Sequence, residues 1–392
     1  MLYLLPELPA AAQAFLAEWE DVNRNEFEFR TSGTTGPARI CRLSRQQILH
    51  AAASSQSTLG WAPGQCIGLV LPATGMGGRM SLVRASVYGM HLIPLGLDLR
   101  SLGNQPLAAN QKTLTSSEPT PFTRYLDHLS LVPSQALALL KGWHAQGTDP
   151  GERVGTLLLG GGPVVTDLLA ELQKAPPKGK PWRVFMGFGM TETAGHFALR
   201  QLFPRPEPLY TPSPGLKISL ESGPESAEQP HEPQTGSLVI CGPVTKHQPL
   251  KTREQVRLDP HTGNFDWLGR ADLVIQTGGH TLLIDELEAQ IRLGAEEFPE
   301  LSWLSSPFWY LAPLQDPVWG EQVALCLPQS LLDKLPSSPP LGPGTFAPCL
   351  PKAAYPRYLV VVPEEHFEVP GKILRLGSEA LANFRPLALK EA

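Results

Sequence analysis

Short apolar runs alternate with stretches of helical periodicity along the N-terminal part of the chain. Cys66–Pro72 (CIGLVLP) is a continuous apolar run with β character. A helical stretch near Met80–Tyr88 follows, and then a second short run at His91–Pro94. Val154–Leu159 (VGTLLL) runs into Gly160-Gly161-Gly162, and Val184–Met186 runs into a loop at Phe188–Thr193. Apolar strands separated by helices predict an α/β fold, with a mostly parallel sheet flanked by helices. Ligands in such sheets sit beyond the carboxyl ends of the strands. Gly160–Pro163 and Gly187–Thr193 both fall there, so one shared site is expected.

From Leu216 the pattern changes. KISL, GSLVIC, EQVRL and NFDWLG are brief and separated by turns, which predicts a small antiparallel β-subdomain. A boundary is expected at Gly269–Asp272. Beyond it VIQTG, LLIDELEAQIR and VALCLP predict a compact α+β lobe of ~120 residues, large enough to be a domain. The expected organisation is residues 1–270 as a large N-terminal domain and residues 271–392 as a small C-terminal lobe. Residues 10–20 predict a short amphipathic helix, and Leu376 to Phe384 a final one.

Composition adds exclusions. A chain of 392 residues, 42% hydrophobic and 18% charged, is ordinary globular material with room for two domains. A net charge of −5 leaves no basic footprint for nucleic acid or an anionic membrane. The five cysteines are scattered, and neither they nor the ten histidines fall in a zinc-binding spacing. Free thiols in a reducing cytoplasm are expected. The apolar N-terminus lacks a basic region and is interrupted by Pro6, Glu7 and Pro9, so it does not read as a targeting signal. No run approaches the ~18 apolar residues of a membrane span. The 41 prolines cluster at 204–233 and 328–351, which predicts loops or ribbons between strands.

The densest chemistry lies in TSGTTGPAR, Thr31–Arg39. Thr31, Ser32, Gly33, Thr34, Thr35 and Gly36 have little bulk, several backbone N–H groups and four hydroxyls, and Arg39 adds a fixed cation. That suits a phosphate cradle, although such a cluster also makes ordinary turns. The GxxxxGK(S/T) spacing of a P-loop is absent. Three further segments follow: MGFGMTETAGHFALR (Met186–Arg200), WLGRADLVIQTGGHTLLIDELE (Trp267–Glu288) and VPGKILR (Val369–Arg375). In this order the four resemble the adenylate-forming superfamily of acyl-CoA synthetases, adenylation domains and luciferases. The family patterns are TSG(S/T)TGxPK, YGxTE, GRxDxxIxxxG…E and GKIxR. The resemblance runs from about residue 28 to residue 378.

The resemblance implies an ATP-dependent acid–thiol ligase using Mg²⁺ and coenzyme A, with a small C-terminal lobe that swings on a hinge at Asp272. It implies that the Thr31–Gly36 loop and Arg39 hold the β- and γ-phosphates. The family has Pro-Lys where this chain has Ala38-Arg39, which keeps the charge but changes its geometry. Thr191 would bond the α-phosphate and Glu192 would ligate Mg²⁺. Read without the family, the pair also fits a helix cap followed by an acid. Phe188, with Gly189 beside it, stands where the family commonly has Tyr and would stack on adenine. Gly161, Gly162 and Pro163 would form the opposite wall. Thr252-Arg253-Glu254 is the match to the ribose-binding TGD, with Glu254 one methylene longer than Asp, and it also reads as an exposed charged strand. Arg270 would reach the ribose or phosphate. Lys372 would bridge the attacking carboxylate and the α-phosphate, or else is a surface lysine. Gly278-Gly279 would line a pantetheine tunnel after the lobe turns, and also fits a hairpin turn. Most relatives carry a longer region before the phosphate loop than the ~30 residues here, so a missing or reduced N-terminal subdomain is expected.

Local details narrow the acid. GMTETAGHFALR and LPATGMGGRMSLVRA are similar to segments of the o-succinylbenzoate–CoA ligases of menaquinone biosynthesis. Their substrate carries a second carboxylate, which needs cationic or donor groups. Arg79, Arg84 and His196 are candidates, with Gly77-Gly78 making room. Two alternatives stay open: adenylation of another aryl acid or transfer to a carrier-protein thiol, and a non-catalytic binding protein of the same fold. The expected partners are small molecules, with no nucleic acid and no membrane.

Overall fold

The computed structural model of the chain describes residues 8–30, 39–95, 125–162, 164, 166–174, 181–221, 232–271, 273–306, 308–333, 342–367, 375–376, 378–381 and 383–389. Helix α1 (Ala10–Glu20) lies before an antiparallel pair, β1 (Glu26–Arg30) and β2 (Ile40–Ser44). Arg30 faces Ile40 in the register, so the pair flanks on both sides the segment expected to cradle phosphate. Residues 31–38 themselves lie outside the described residues. Ser44 then caps α2 (Arg45–Ser54): its hydroxyl accepts from the Gln47 N–H, and the Gln47 side chain accepts from the Ser44 N–H. A single turn, α3 (Gln56–Leu59), follows and ends on Gly60 in the left-handed region.

Five strands form a parallel set in the order β4-β3-β5-β6-β7: β3 (Cys66–Leu69), β4 (His91–Pro94), β5 (Leu126–Leu131), β6 (Val154–Leu159) and β7 (Arg183–Met190). Helix α4 (Met76–Tyr88) joins β3 to β4, α5 (Pro133–Ala145) follows β5, and α6 (Thr166–Gln173) follows β6. Leu129, Leu131, Val154, Leu157 and Leu159 are shut off from solvent, and burying each contributes about 1.5–3 kcal/mol. The uniformly apolar runs are strands covered on both faces.

The expected loop at Phe188–Thr193 is not a loop throughout. Strand β7 continues to Met190, turns through Thr191–Thr193, and returns as the antiparallel β8 (Gly195–Phe203), with β9 (Thr211–Pro212) beyond it. The glycines there conceal a strand because Gly189 lets the two strands approach closely: a Cβ on it would stand 2.1 Å from the Gly195 carbonyl oxygen.

Strands β10 (Lys217–Leu220), β11 (Gln234–Cys241), β12 (Leu250–Leu258) and β13 (Phe265–Arg270) form an antiparallel sheet in that order. Tyr210 and Phe265 exchange backbone hydrogen bonds at 2.8 and 3.1 Å, joining this sheet to the larger one.

Beyond residue 272, β14 (Val274–Thr277), β15 (His280–Leu283), β16 (Tyr310–Asp316), β17 (Gly320–Leu327), β18 (Tyr358–Val361) and β19 (Leu387–Ala388) build another sheet. Helix α7 (Ile284–Glu297) packs on it through Ile284, Leu287 and Ile291. Among the described residues, helix near the C-terminus is confined to Ser378–Leu381, shorter than the expected 376–384. The fold is mixed α/β. Its apolar clusters keep residues up to 267 apart from those from 273 onward.

Candidate active site

The carboxyl ends of β6 and β7 lie side by side. Leu159 pairs with Met186, and a Cβ on Gly160 would be 3.8 Å from the Gly187 oxygen. Gly161 takes a φ of 78°, which lets the chain leave the sheet at once. Gly162 is next to it, and Pro163 lies outside the described residues. Of the two segments expected to share a site, Gly160–Pro163 and Gly187–Thr193, the first residues Gly160 and Gly187 are adjacent.

Thr193 shapes the turn that follows β7. Its buried hydroxyl accepts from the Met190 N–H at 3.2 Å and donates to the Gly195 oxygen at 2.7 Å. Ala194 and Gly195 complete the reversal with φ of 54° and 99°. This clamp leaves Thr191 half-buried and Glu192 exposed. Strand β2 runs beside the turn. Burial, aided by the Glu192 charge, pushes the Cys41 thiol up to about 11. Strand β2 and the Thr191–Glu192 turn thus meet at one edge, with Arg39 immediately before β2.

The Phe188 ring joins the parallel sheet to the antiparallel one. Its centroid is 5.3 Å from Tyr210, 5.4 Å from Phe265, 5.6 Å from Phe197 and 6.0 Å from Trp267. Glu254 stands opposite Arg270 in the β12–β13 ladder, with Arg270 Nη1 3.6 Å from Glu254 Oε1. Trp267 Nε1 donates to Glu254 Oε2 at 2.8 Å. Glu254 is therefore not the exposed strand residue that its charged neighbours allow. Trp267 drew no attention in the sequence, because the signal is a register shift in the ladder.

On α4, neighbouring residues serve different faces. Arg79 Nε donates to the Ala73 oxygen at 2.9 Å and Nη1 to the Glu28 oxygen at 2.6 Å, while its guanidinium lies over Phe15 and Phe29. It ties α4 to β1 and α1 instead of reaching an acyl pocket. Gly77 and Gly78 make room for the chain itself: a Cβ on Gly77 would be 2.7 Å from Leu71 Cδ1, and one on Gly78 would be 2.3 Å from the Pro72 oxygen. Arg84 faces inward, 3% exposed, with Nη2 3.4 Å from His196 Nδ1. A guanidinium only donates, so Nδ1 accepts and the imidazole proton sits on Nε2. Burial, reinforced by Arg84, holds His196 well below its ordinary pKa, so the ring is neutral. Its Nε2 and the Arg84 Nε are buried without hydrogen-bond partners among the described residues.

In the C-terminal part, Gly278 and Gly279 turn β14 into β15 with φ of 54° and 83°, a two-residue hairpin. Gly278 also packs under Trp319, whose ring a Cβ would meet at 2.9 Å. Lys372 and Asp272, the expected hinge, lie outside the described residues. Just after Lys372, Arg375 is anchored by a two-pronged pair with Glu288 at 2.6 and 2.8 Å. Burial alone would lower the Arg375 pKa, but Glu288 and Asp285 more than offset it.

No group of three or more His, Cys, Asp or Glu among the described residues could hold a metal ion by itself. Exposed Glu192 suits a hard cation shared with phosphates, which takes only one or two carboxylates from protein. No helix among the described residues is long and apolar enough to cross a membrane.

Residues 29–246, more than half of the chain, match the AMP-binding enzyme family, and the chain belongs to it. It is 24% identical over 344 residues to a 2-succinylbenzoate–CoA ligase of Bacillus mycoides, covering 80% of this chain and 66% of that protein. A ligase of the same name from Bacillus velezensis is 24% identical over 306 residues, 74% of this chain and 56% of that one. The chain spans less than two thirds of the length of these curated relatives. In fold it is similar to O-succinylbenzoate coenzyme A synthetase of Bacillus subtilis, solved with ATP and a magnesium ion (TM-score 0.63, 20% identity, 89% of this chain and 68% of that chain). It is also similar to an acyl-CoA synthetase/AMP-acid ligase II-like protein of Dyadobacter fermentans (TM-score 0.53, 24% identity, 90% of this chain and 89% of that one).

Proposed function

We propose that the protein joins a carboxylic acid to coenzyme A through an acyl-adenylate, with o-succinylbenzoate as the acid. The observation that carries this is the meeting of three elements around the end of β7. The hairpin flanking the phosphate loop lies on one side, the clamped Thr191–Glu192 turn sits at the tip, and the Glu254–Arg270 pair stands beyond Phe188. Attack of a carboxylate on an α-phosphate brings two anions together, so the site must neutralise charge and orient both. Thr191 and the phosphate loop with Arg39 bind the phosphates. Glu192 would hold Mg²⁺, and the ion would supply charge withdrawal from the phosphates. Glu254 accepts from the ribose, and Phe188 with Gly161, Gly162 and Gly189 borders the adenine.

Residues 271–392 act as a lobe turning at Asp272. One orientation brings in Lys372 for adenylation, and the other brings the Gly278-Gly279 turn to the thiol. Arg84 and the His196 Nε2–H are the donors available to the distal carboxylate, now that Arg79 is engaged elsewhere. The names of the two Bacillus relatives support this choice of acid. The test is CoA-dependent AMP release across an acid panel. o-Succinylbenzoate should outpace benzoate and fatty acids by at least ~10²-fold, the loss expected when buried donors are left unpaired. Equal use of a monocarboxylic aryl acid would remove the distal-carboxylate pocket. A carrier-protein thiol accepted in place of CoA would favour the alternative acceptor.

A further inference from the structure

We infer that Trp267 is the positioning residue that lets Glu254 read the ribose of the nucleotide, an inference that rests on the adenylating reading above. Glu254 has one more rotatable bond than the Asp of the pattern it resembles. A carboxylate on a longer stem spreads over more rotamers and loses more entropy when it binds. In this chain the extra freedom is removed before any ligand arrives. Trp267 Nε1 donates to Oε2 at 2.8 Å, while Arg270 stands 3.6 Å from Oε1.

The arrangement depends on an irregularity in the ladder. Gln255 pairs with Gly269, yet Val256 pairs with Trp267, so Leu268 is the extra residue of a β-bulge. In a regular strand, residues three apart point to opposite faces. The bulge, with Gly269 at a φ of 127°, turns Trp267 and Arg270 toward the same carboxylate. The Trp267 ring also lies 6.0 Å from Phe188, so the brace ties Glu254 to the end of β7. A space-filling ring needs no N–H, whereas a brace does, and Trp267→Phe separates the two.

The experiment is calorimetric binding of ATP, 2′-deoxy-ATP and 3′-deoxy-ATP to wild type, Trp267→Phe and Glu254→Asp. Wild type should favour ATP over both analogues. Loss of a hydrogen bond to a charged group corresponds to roughly tenfold in affinity. Trp267→Phe should therefore weaken ATP about tenfold and shrink the preference for ATP over the analogues by a similar factor. Glu254→Asp draws the carboxylate away from the indole and should lose the same preference. Wild-type preference in Trp267→Phe overturns the inference, as does a wild type that binds all three nucleotides equally. If Trp267→Phe does not fold, Glu254→Asp decides alone, and full discrimination there overturns the brace. Acid-dependent ATP–pyrophosphate exchange by wild type, run separately, reports on the adenylating reading itself.

Discussion

Asp285→Asn should stabilise the protein, and only above mildly acidic pH. Asp285 opens α7, accepts the Arg270 backbone N–H, and has Glu288 one turn along the helix. Its Oδ2 is buried with no hydrogen-bond partner among the described residues, and Arg375 stands 4.0 Å from Oδ1. Burial, with the Glu288 charge added, outweighs the attraction of Arg375 and Arg270, and raises the Asp285 carboxyl from 3.8 to about 6. That is about two units, and one unit corresponds to ~1.4 kcal/mol, so ionising Asp285 costs up to about 3 kcal/mol. The side chain is 22% exposed, and solvent screening trims the figure to roughly 1.5–3 kcal/mol.

The sign follows from proton counts. Between about pH 4 and 6 the unfolded chain has released this proton while the folded one keeps it, so stability falls as pH rises. Below that window the carboxyl is neutral in both states and the cost is absent. Above it the cost is fully present. Asparagine stays neutral and can still accept from Arg270. Denaturant unfolding followed by tryptophan fluorescence should show Asp285→Asn near wild type at pH 4. At pH 8 it should be more stable by about 1.5–3 kcal/mol. A variant no more stable than wild type at pH 8, or a gain of equal size at both pH values, would refute the reasoning.

Two further outcomes are expected. Gly189→Ala should destabilise by more than ~2 kcal/mol and slow adenylation, because the new Cβ meets the Gly195 oxygen at 2.1 Å and backbone must shift; chemical unfolding and pyrophosphate exchange measure both. Lys372→Ala should lower the adenylation rate by ~10²-fold or more yet spare thioester formation from pre-made acyl-adenylate, and Gly279→Leu should do the reverse; equal damage to both half-reactions in each variant would remove the two-orientation mechanism.

Much of the architecture was legible because burial on both faces leaves an unmistakable trace. CIGLVLP, VGTLLL and the short runs after Leu216 each became a strand within a residue or a few of the expected limits. The motif segments likewise carried the resemblance to the family that the comparison shows, since their small residues, hydroxyls and fixed charges recur in a set order. Leu126–Leu131 and Pro133–Ala145 went unnoticed, as a buried strand and a helix joined by one residue read as continuous apolar sequence. Gly187 and Gly189 suggested a loop, yet they belong to a strand whose partner fills the space a side chain would need, with the His196 side chain at Gly187 and the Gly195 backbone at Gly189.

The sequence alone determined which residue types were available, and the local periods determined strand or helix. What it could not determine was direction. Arg79 and Arg84 are near neighbours of like charge on one helix, and 3.6 residues per turn carries one to the α1–β1 side and the other to His196. Glu254 looks exposed among Thr252, Arg253 and Arg257, and only the bulge opposite it supplies the indole that holds it. Composition and period act within a few residues along the chain. Whether a charge becomes a brace, a binding donor or a solvated surface group depends on which distant backbone packs against it, and that is settled only when the sheets assemble.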